Sequence, residues 1–173
     1  MGDVFLEQLV KKKNSSVDLL KKVGIMVAGL VIAFAAMLFG FGSQFFGSIA
    51  LLLAVGAIYF AWYFMTSLNL EFEYIYTNGE IDVDRIAAKR KRKRMTTVKI
   101  SGFEEFDKFN AERYKNQQYD VKLDASVSWN EPNTYYAVYH NRENKKCILI
   151  FNPDERLLPE IEKIYRRRVR IPQ

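Results

Sequence analysis

The chain has one cysteine, Cys147, and one histidine, His140, in 173 residues. No intrachain disulfide can form, and any site that needs two histidines is excluded. A single cysteine agrees with a reducing compartment. The more telling absence is of charge. From Val23 to Asn69 there is no Asp, Glu, Lys, Arg or His. That run exceeds the roughly 20 residues that cross a bilayer once, and it suits two crossings joined by a tight turn. Hydrophobic residues make up 49% of the sequence, and they are not spread as one soluble domain requires.

Catalytic patterns are also missing. There is no phosphate-binding glycine loop, no zinc-ligand spacing and no G-x-S-x-G motif. Glu80, Asp82 and Asp84 share a strand face, but the glycine and distal glutamate of a calcium loop are absent. We therefore expect no catalytic residue, no metal site and no cofactor. His140 reads as a strand histidine, and Cys147 in "KKCILIF" as a buried strand cysteine. Tyr135, Tyr136, Tyr139 and Trp129 lack interleaved Arg or Lys and read as packing aromatics rather than base-stacking ones.

The uncharged run divides at "GFGSQ", Gly40–Gln44, which is rich in turn formers. This places one span near Val23–Phe41 and a second near Phe45–Met65. Ser15 and Asp18 form a capping-box pattern ahead of the first helix. Gly29, Ala33, Ala36 and Gly40 line one face of the first span. Gly47, Ala50, Ala54, Ala57 and Ala61 line one face of the second. Small residues permit close backbone approach in lipid. Each seam suits either packing of the two spans on each other or docking of another membrane protein or a second copy. Trp62 and Tyr63 suit the interface at the end of the second span.

Lys11, Lys12, Lys13, Lys21 and Lys22 precede the spans, and Arg85 with the run Lys89, Arg90, Lys91, Arg92, Lys93 and Arg94 follows them. The positive-inside rule puts both termini in the cytoplasm. "AFA" at Ala33–Ala35 resembles a cleavage site, but the apolar stretch continues past it and reads as an anchor. Leu6 stands where a myristoylation signal needs Ser or Thr, so lipidation is not expected. Phe5, Leu6, Leu9 and Val10 group on one helical face. They suit a short helix lying in the interface or packing on the cytoplasmic part.

Beyond the spans, Asn78-Gly79 predicts a type I′ hairpin with Tyr76 facing Ile81, Tyr74 facing Val83 and Phe72 facing Arg85. The other face opposes Glu73 and Asp84, and directly opposed carboxylates need a cation nearby. "MTTVKI" reads as a third strand. Ser101 and Glu104 predict a helix from Phe103 to about Gln118. "YDVKLDASVSW", "TYYAVYH" and "KKCILIF" read as further strands. Leu157, Leu158, Ile161, Ile164 and Tyr165 share the apolar face of a terminal helix, with Pro159 at its start or at a kink.

The two-span hairpin, "SLNLEFEYIYTNGEIDVDRI", "KRKRM" and "FNPDERLLPEI" resemble a small bacterial membrane-protein family classed as a domain of unknown function with a pleckstrin-homology-like cytoplasmic domain. The resemblance covers nearly the whole chain and implies a bacterial plasma (inner) membrane, multi-pass. The expected fold class is a membrane α-hairpin of two transmembrane helices plus a mostly-β α+β pleckstrin-homology-like domain with a C-terminal helix. The expected boundaries are a cytoplasmic amphipathic segment 1–22, a hairpin 23–66 and the cytoplasmic domain 67–173.

Lys89–Arg94 have three readings. They can meet an anionic leaflet, where each cation contributes up to about 1 kcal/mol. They can neutralise the acids of residues 71–84. They can bind nucleic acid, which two membrane anchors make the least expected. The expected function is a non-catalytic membrane-anchored interaction or sensing module contacting the anionic inner leaflet. The alternative is an accessory or scaffold subunit docking through the small-residue seams. An enzyme comes third.

Overall fold

The computed structural model describes residues 4–41 and 44–170, with the backbone alone at 44 and 168–170. Two units result, Met1–Lys13 with Leu70–Gln173, and Asn14–Asn69.

The N-terminal segment is not the expected amphipathic helix. Phe5–Lys11 form a strand, β1, paired antiparallel with β2 (Leu70–Thr77) from Phe5 opposite Thr77 to Lys11 opposite Glu71. Leu6, Leu9 and Val10 have helical spacing, yet alternation serves them as well. Leu6 and Val10 pack on the core, and Leu9 lies exposed on the other face. Gln8 decides for the strand. Its Nε2 donates to the Asn152 carbonyl at 2.8 Å, and its Oε1 accepts from Asp154 N–H at 2.9 Å. The expected boundaries at 22/23 and 66/67 therefore move. The strand belongs with the β unit, and the helical hairpin is an insertion between β1 and β2.

In the inserted unit, α1 (Ser16–Gly40) opens on the expected capping box. Ser15 is the N-cap, and the Asp18 carboxylate accepts from Ser15 N–H at 3.1 Å. α2 (Gln44–Ser67) follows. Both helices are long and apolar enough to cross a membrane by length and composition. Gly42 and Ser43 of the expected turn lie outside the described residues, as does Gly2 of the lipidation reading. At the base, Lys22 Nζ donates to Asn14 Oδ1 at 2.6 Å and Asn69 Oδ1 at 2.7 Å, so the start of α1 and the exit of α2 share one ammonium.

The β unit is two four-stranded sheets with a terminal helix. The first has the order β1-β2-β3-β4, with β3 Glu80–Ala87 and β4 Lys91–Lys99. Asn78 (φ 48°) and Gly79 (φ 91°) close the β2–β3 turn, and all the register pairs expected from it are present. The second has the order β5-β7-β8-β6: β5 Glu105–Lys108, β6 Val121–Asp124, β7 Tyr135–His140 and β8 Lys146–Phe151. β6 runs parallel to β8, and the other strand pairs of the two sheets are antiparallel.

The helix expected from Phe103 is absent. Ile100–Gly102 form a single 3₁₀ turn, β5 follows, and only Ala111–Asn116 are helical (α3). Phe103, Phe106 and Phe109 have a spacing of three that mimics a helix. In the fold Phe103 and Phe106 join the main core, and Phe109 packs on the opposite face of the second sheet. The N-cap is Asn110, whose Oδ1 accepts from Glu112 and Arg113 N–H at 2.9 and 3.1 Å. "ASVSW" leaves the sheet after Asp124.

The main core lies between the sheets and under α4 (Leu157–Arg170), with Phe72, Tyr74, Val83, Leu149, Phe151, Leu157 and Ile161 buried. Pro159 sits in the first turn of α4, where a missing N–H breaks no helical bond. Asp154 Oδ1 accepts from Leu157 N–H at 2.8 Å and caps that turn. A polar network ties the core to the loops. Tyr74 OH donates to the Ala125 carbonyl at 2.6 Å and accepts from Asn152 N–H at 3.2 Å.

Candidate anion-binding surface

The basic run is divided by one irregularity. Between β3 and β4 the register steps from Val83 opposite Thr96 to Asp84 opposite Arg94, leaving Met95 as the extra residue of a bulge. A shift by one residue exchanges the faces of everything beyond it. Without the bulge Arg94 would share the face of Val83. With it, Arg94 and Arg92 share the face of Asp82, Asp84 and Glu73.

That face is the charge pairing that the opposed carboxylates required. Arg94 Nη1 lies 2.7 Å from Asp82 Oδ2, and Arg94 Nε pairs with Asp84 Oδ1. Arg92 Nη2 reaches both Glu73 oxygens at 2.7 Å, and its Nε stands 4.0 Å from Asp84. Thr97 Oγ1 donates to Asp82 at 2.5 Å. The acid side chains of Glu73 and Asp84 are only 5% and 4% exposed, whereas the two guanidiniums are about half exposed. Burial holds the Glu73 carboxyl above its ordinary pKa. Arg92 pulls it down, and Glu7 and Asp84 push it further up. Glu73 Oε2 has its ion pair but no aligned hydrogen bond.

The lysines take the other face. Lys91 lies opposite Ala87, and Lys93 lies opposite Arg85, two cations face to face. Arg85, Lys89, Lys91 and Lys93 are exposed, and none has an ion pair among the described residues. Directly opposed like charges destabilise a sheet. The turn adds strain. Arg90 N–H donates to the Ala87 carbonyl at 3.0 Å across Ala88 and Lys89, at φ 52° and 56°. An L-residue in that region costs roughly 1–2 kcal/mol, and Ala88 has no side-chain bond to offset it. Strain of this kind gathers at binding sites.

The surface occupies one end of the first sheet. Lys11, Glu71, Ile86 and Arg92 stand in one row across β1 to β4. The chain leaves β1 toward Asn14 and enters β2 from Asn69 at that same end.

Elsewhere the geometry offers little chemistry. His140 Nδ1 pairs with Glu104 Oε1 at 2.7 Å on the surface. Cys147 is buried, its Sγ donates to the Lys145 carbonyl at 3.3 Å, and burial pushes its thiol pKa up. Tyr136 and Tyr139 are buried, and Tyr136 is pushed up to about 12, first by burial. No group of three potential metal ligands occurs among the described residues. A cleft of about 670 Å³ lies at the opposite end of the unit, between Glu80, Thr96, Lys99, Tyr139 and Arg142.

The small-residue positions lie inside the helical hairpin. Gly29, Ala33, Gly40, Ala50, Ala54 and Ala61 are buried, and Ala36, Gly47 and Ala57 are half-buried. A methyl group on Gly29 would come within 2.5 Å of Ala61 Cβ, and one on Gly40 would overlap Ala50.

The bulge at Met95 and the parting of arginines from lysines carry no signal in a single sequence. The division of labour rested on a register shift that alternation alone does not reveal.

No curated protein and no solved structure matches the chain. A family model described as a bacterial PH-like domain (DUF6106) matches residues 2–171, which include both apolar helices and both sheets, and the chain belongs to that family.

Proposed function

We propose that this protein is a non-catalytic, membrane-anchored module of the bacterial inner membrane. Both termini are cytoplasmic, and the β unit meets the anionic leaflet through Lys89, Lys91, Lys93 and Arg85. One observation carries the reading. The four unpaired cations stand at the end of the sheet where both connections to the apolar helices leave it. At up to about 1 kcal/mol per cation near an anionic surface, four supply at most about 4 kcal/mol, and salt screens them. Lys11, Lys12, Lys13, Lys21 and Lys22 beside α1 support the orientation by the positive-inside rule. The subunit reading has less support, because the small-residue positions are occupied by packing within the chain.

The test places a probe at the start of β4. In a Cys147→Ser background, Lys91→Cys in the full chain is labelled with a polarity-sensitive dye and reconstituted into vesicles. The emission should shift to the blue in anionic vesicles, less so in neutral ones, and the shift should reverse with salt. An emission indifferent to lipid charge and to salt would overturn the lipid role of the run.

A further inference from the structure

We infer that Trp129 and the loop that carries it form a second membrane contact, in which the indole sits at the lipid–water interface. The inference rests on the membrane reading above, but not on the lysines. Within the β unit, the exposed large hydrophobic residues among those described are Val4, Phe5, Leu9 and Trp129. The first three belong to β1 or its approach. Trp129 is presented by a loop, with 40% of its surface open.

Three contacts bind that loop to the two residues that precede the helical insertion. Lys13 N–H donates to the Val127 carbonyl at 2.9 Å, Lys13 Nζ pairs with Glu131, and Lys12 Nζ lies 3.7 Å from Asp124 Oδ2. Asp124 Oδ2 also accepts from Trp129 Nε1 at 3.2 Å. The next residue, Asn14, begins the helical unit, and Ser15 caps α1. The indole is thus held by its polar atom on Asp124, the same carboxylate that lies beside Lys12, two residues before the helical unit begins.

The indole packs at steep angles against Phe109 and Tyr114, at centroid distances of 5.5 and 5.3 Å, and part of it stays open to solvent. An amphipathic ring with its N–H satisfied and charged neighbours of both signs (Lys12, Lys13, Asp124 and Glu131) matches the headgroup layer, where tryptophan concentrates. This chemistry depends on ring partition rather than net charge, so it should survive in neutral lipid and at high salt.

The sequence holds two tryptophans, so Trp62→Phe leaves Trp129 as the only one in the full chain. That variant is reconstituted into neutral phosphatidylcholine vesicles, with and without acyl chains brominated near the headgroup. Trp129 emission should be lost to the brominated lipid and shielded from aqueous acrylamide. Both effects should persist at high salt and after replacement of Lys89, Lys91 and Lys93 by alanine. A parallel comparison of wild type with Trp129→Phe gives the same contribution by difference if Trp62→Phe perturbs the hairpin. Emission open to acrylamide and untouched by bromine would overturn the inference, and so would quenching that needs anionic lipid at low salt. A silent Lys91 probe beside a quenched Trp129 would retire the lysine reading alone.

Discussion

Arg92 Nη2 lies 2.7 Å from Oε2 of Glu73, a carboxylate that the fold buries almost completely. Arg94 does the same for Asp84. Two of six consecutive cations are therefore internal partners, and they should behave unlike their lysine neighbours. Replacing Arg92 or Arg94 by alanine leaves a buried carboxylate without its partner, which costs about 1–3 kcal/mol. Replacing Lys89, Lys91 and Lys93 together should change stability by less than about 0.5 kcal/mol per site. Thermal unfolding in mild detergent measures both.

Glu73 gives the pH dependence. Its folded pKa is raised, first by burial, so the folded state holds the proton more tightly than the unfolded one. The stability associated with that proton is present at low pH and is lost as pH rises from the ordinary carboxylate pKa through the folded value. Glu73→Gln mimics the protonated form. The melting temperature of the variant relative to wild type should therefore be higher at pH 8 than at pH 4. An equal difference at both pH values would contradict the buried-carboxylate account.

The β3–β4 turn should respond to a glycine in an unusual direction. Ala→Gly ordinarily costs stability through chain entropy. At Ala88, with φ 52°, Ala88→Gly removes more strain than it adds in entropy, for a gain of about 0.5–1 kcal/mol. Denaturant unfolding reads the sign.

A soluble version of the β unit must include β1. Lys12 N–H donates to the Leu70 carbonyl at 3.0 Å, so a short Gly/Ser linker from Lys13 to Leu70 spans the gap left by residues 14–69. That protein should be soluble and unfold cooperatively. A fragment starting at residue 67 lacks Leu6, Val10 and the Gln8 bonds. At about 1 kcal/mol for each half-buried apolar side chain and each hydrogen bond, it should be about 4 kcal/mol less stable.

Glycines in the hairpin divide by environment. A Cβ at Gly24 or Gly56 meets nothing within 4 Å, whereas at Gly29 or Gly40 it collides with the other helix. Gly24→Ala and Gly56→Ala should be neutral, or stabilising by up to about 1 kcal/mol through helix propensity. Gly29→Ala and Gly40→Ala should lower the unfolding temperature in detergent.

The legible parts share a property. The capping box at Ser15, the two apolar helices, the Asn78-Gly79 register and the apolar face of α4 each depend on residues close in the chain. The misread parts depend on distant partners. Phe103, Phe106 and Phe109 mimic a helix, but they are divided between two sides of a sheet completed by β7 and β8. Leu6 and Val10 suit a helix face until β2 arrives, some sixty residues later, to pair with them.

By itself the sequence determined the two-helix apolar hairpin, the need for a cation beside Glu73 and Asp84, and the hairpin register that opposes those two acids. An uncharged run that long, broken once by turn formers, gives two apolar helices, and a type I′ turn leaves one register open. Only the tertiary structure decided which cations answer the acids. The extra residue at Met95 turns Arg92 and Arg94 toward Glu73 and Asp84 and leaves Lys91 and Lys93 on the other face. Alternation has a period of two, so a single inserted residue exchanges inside for outside, and only the paired strand reveals where it lies.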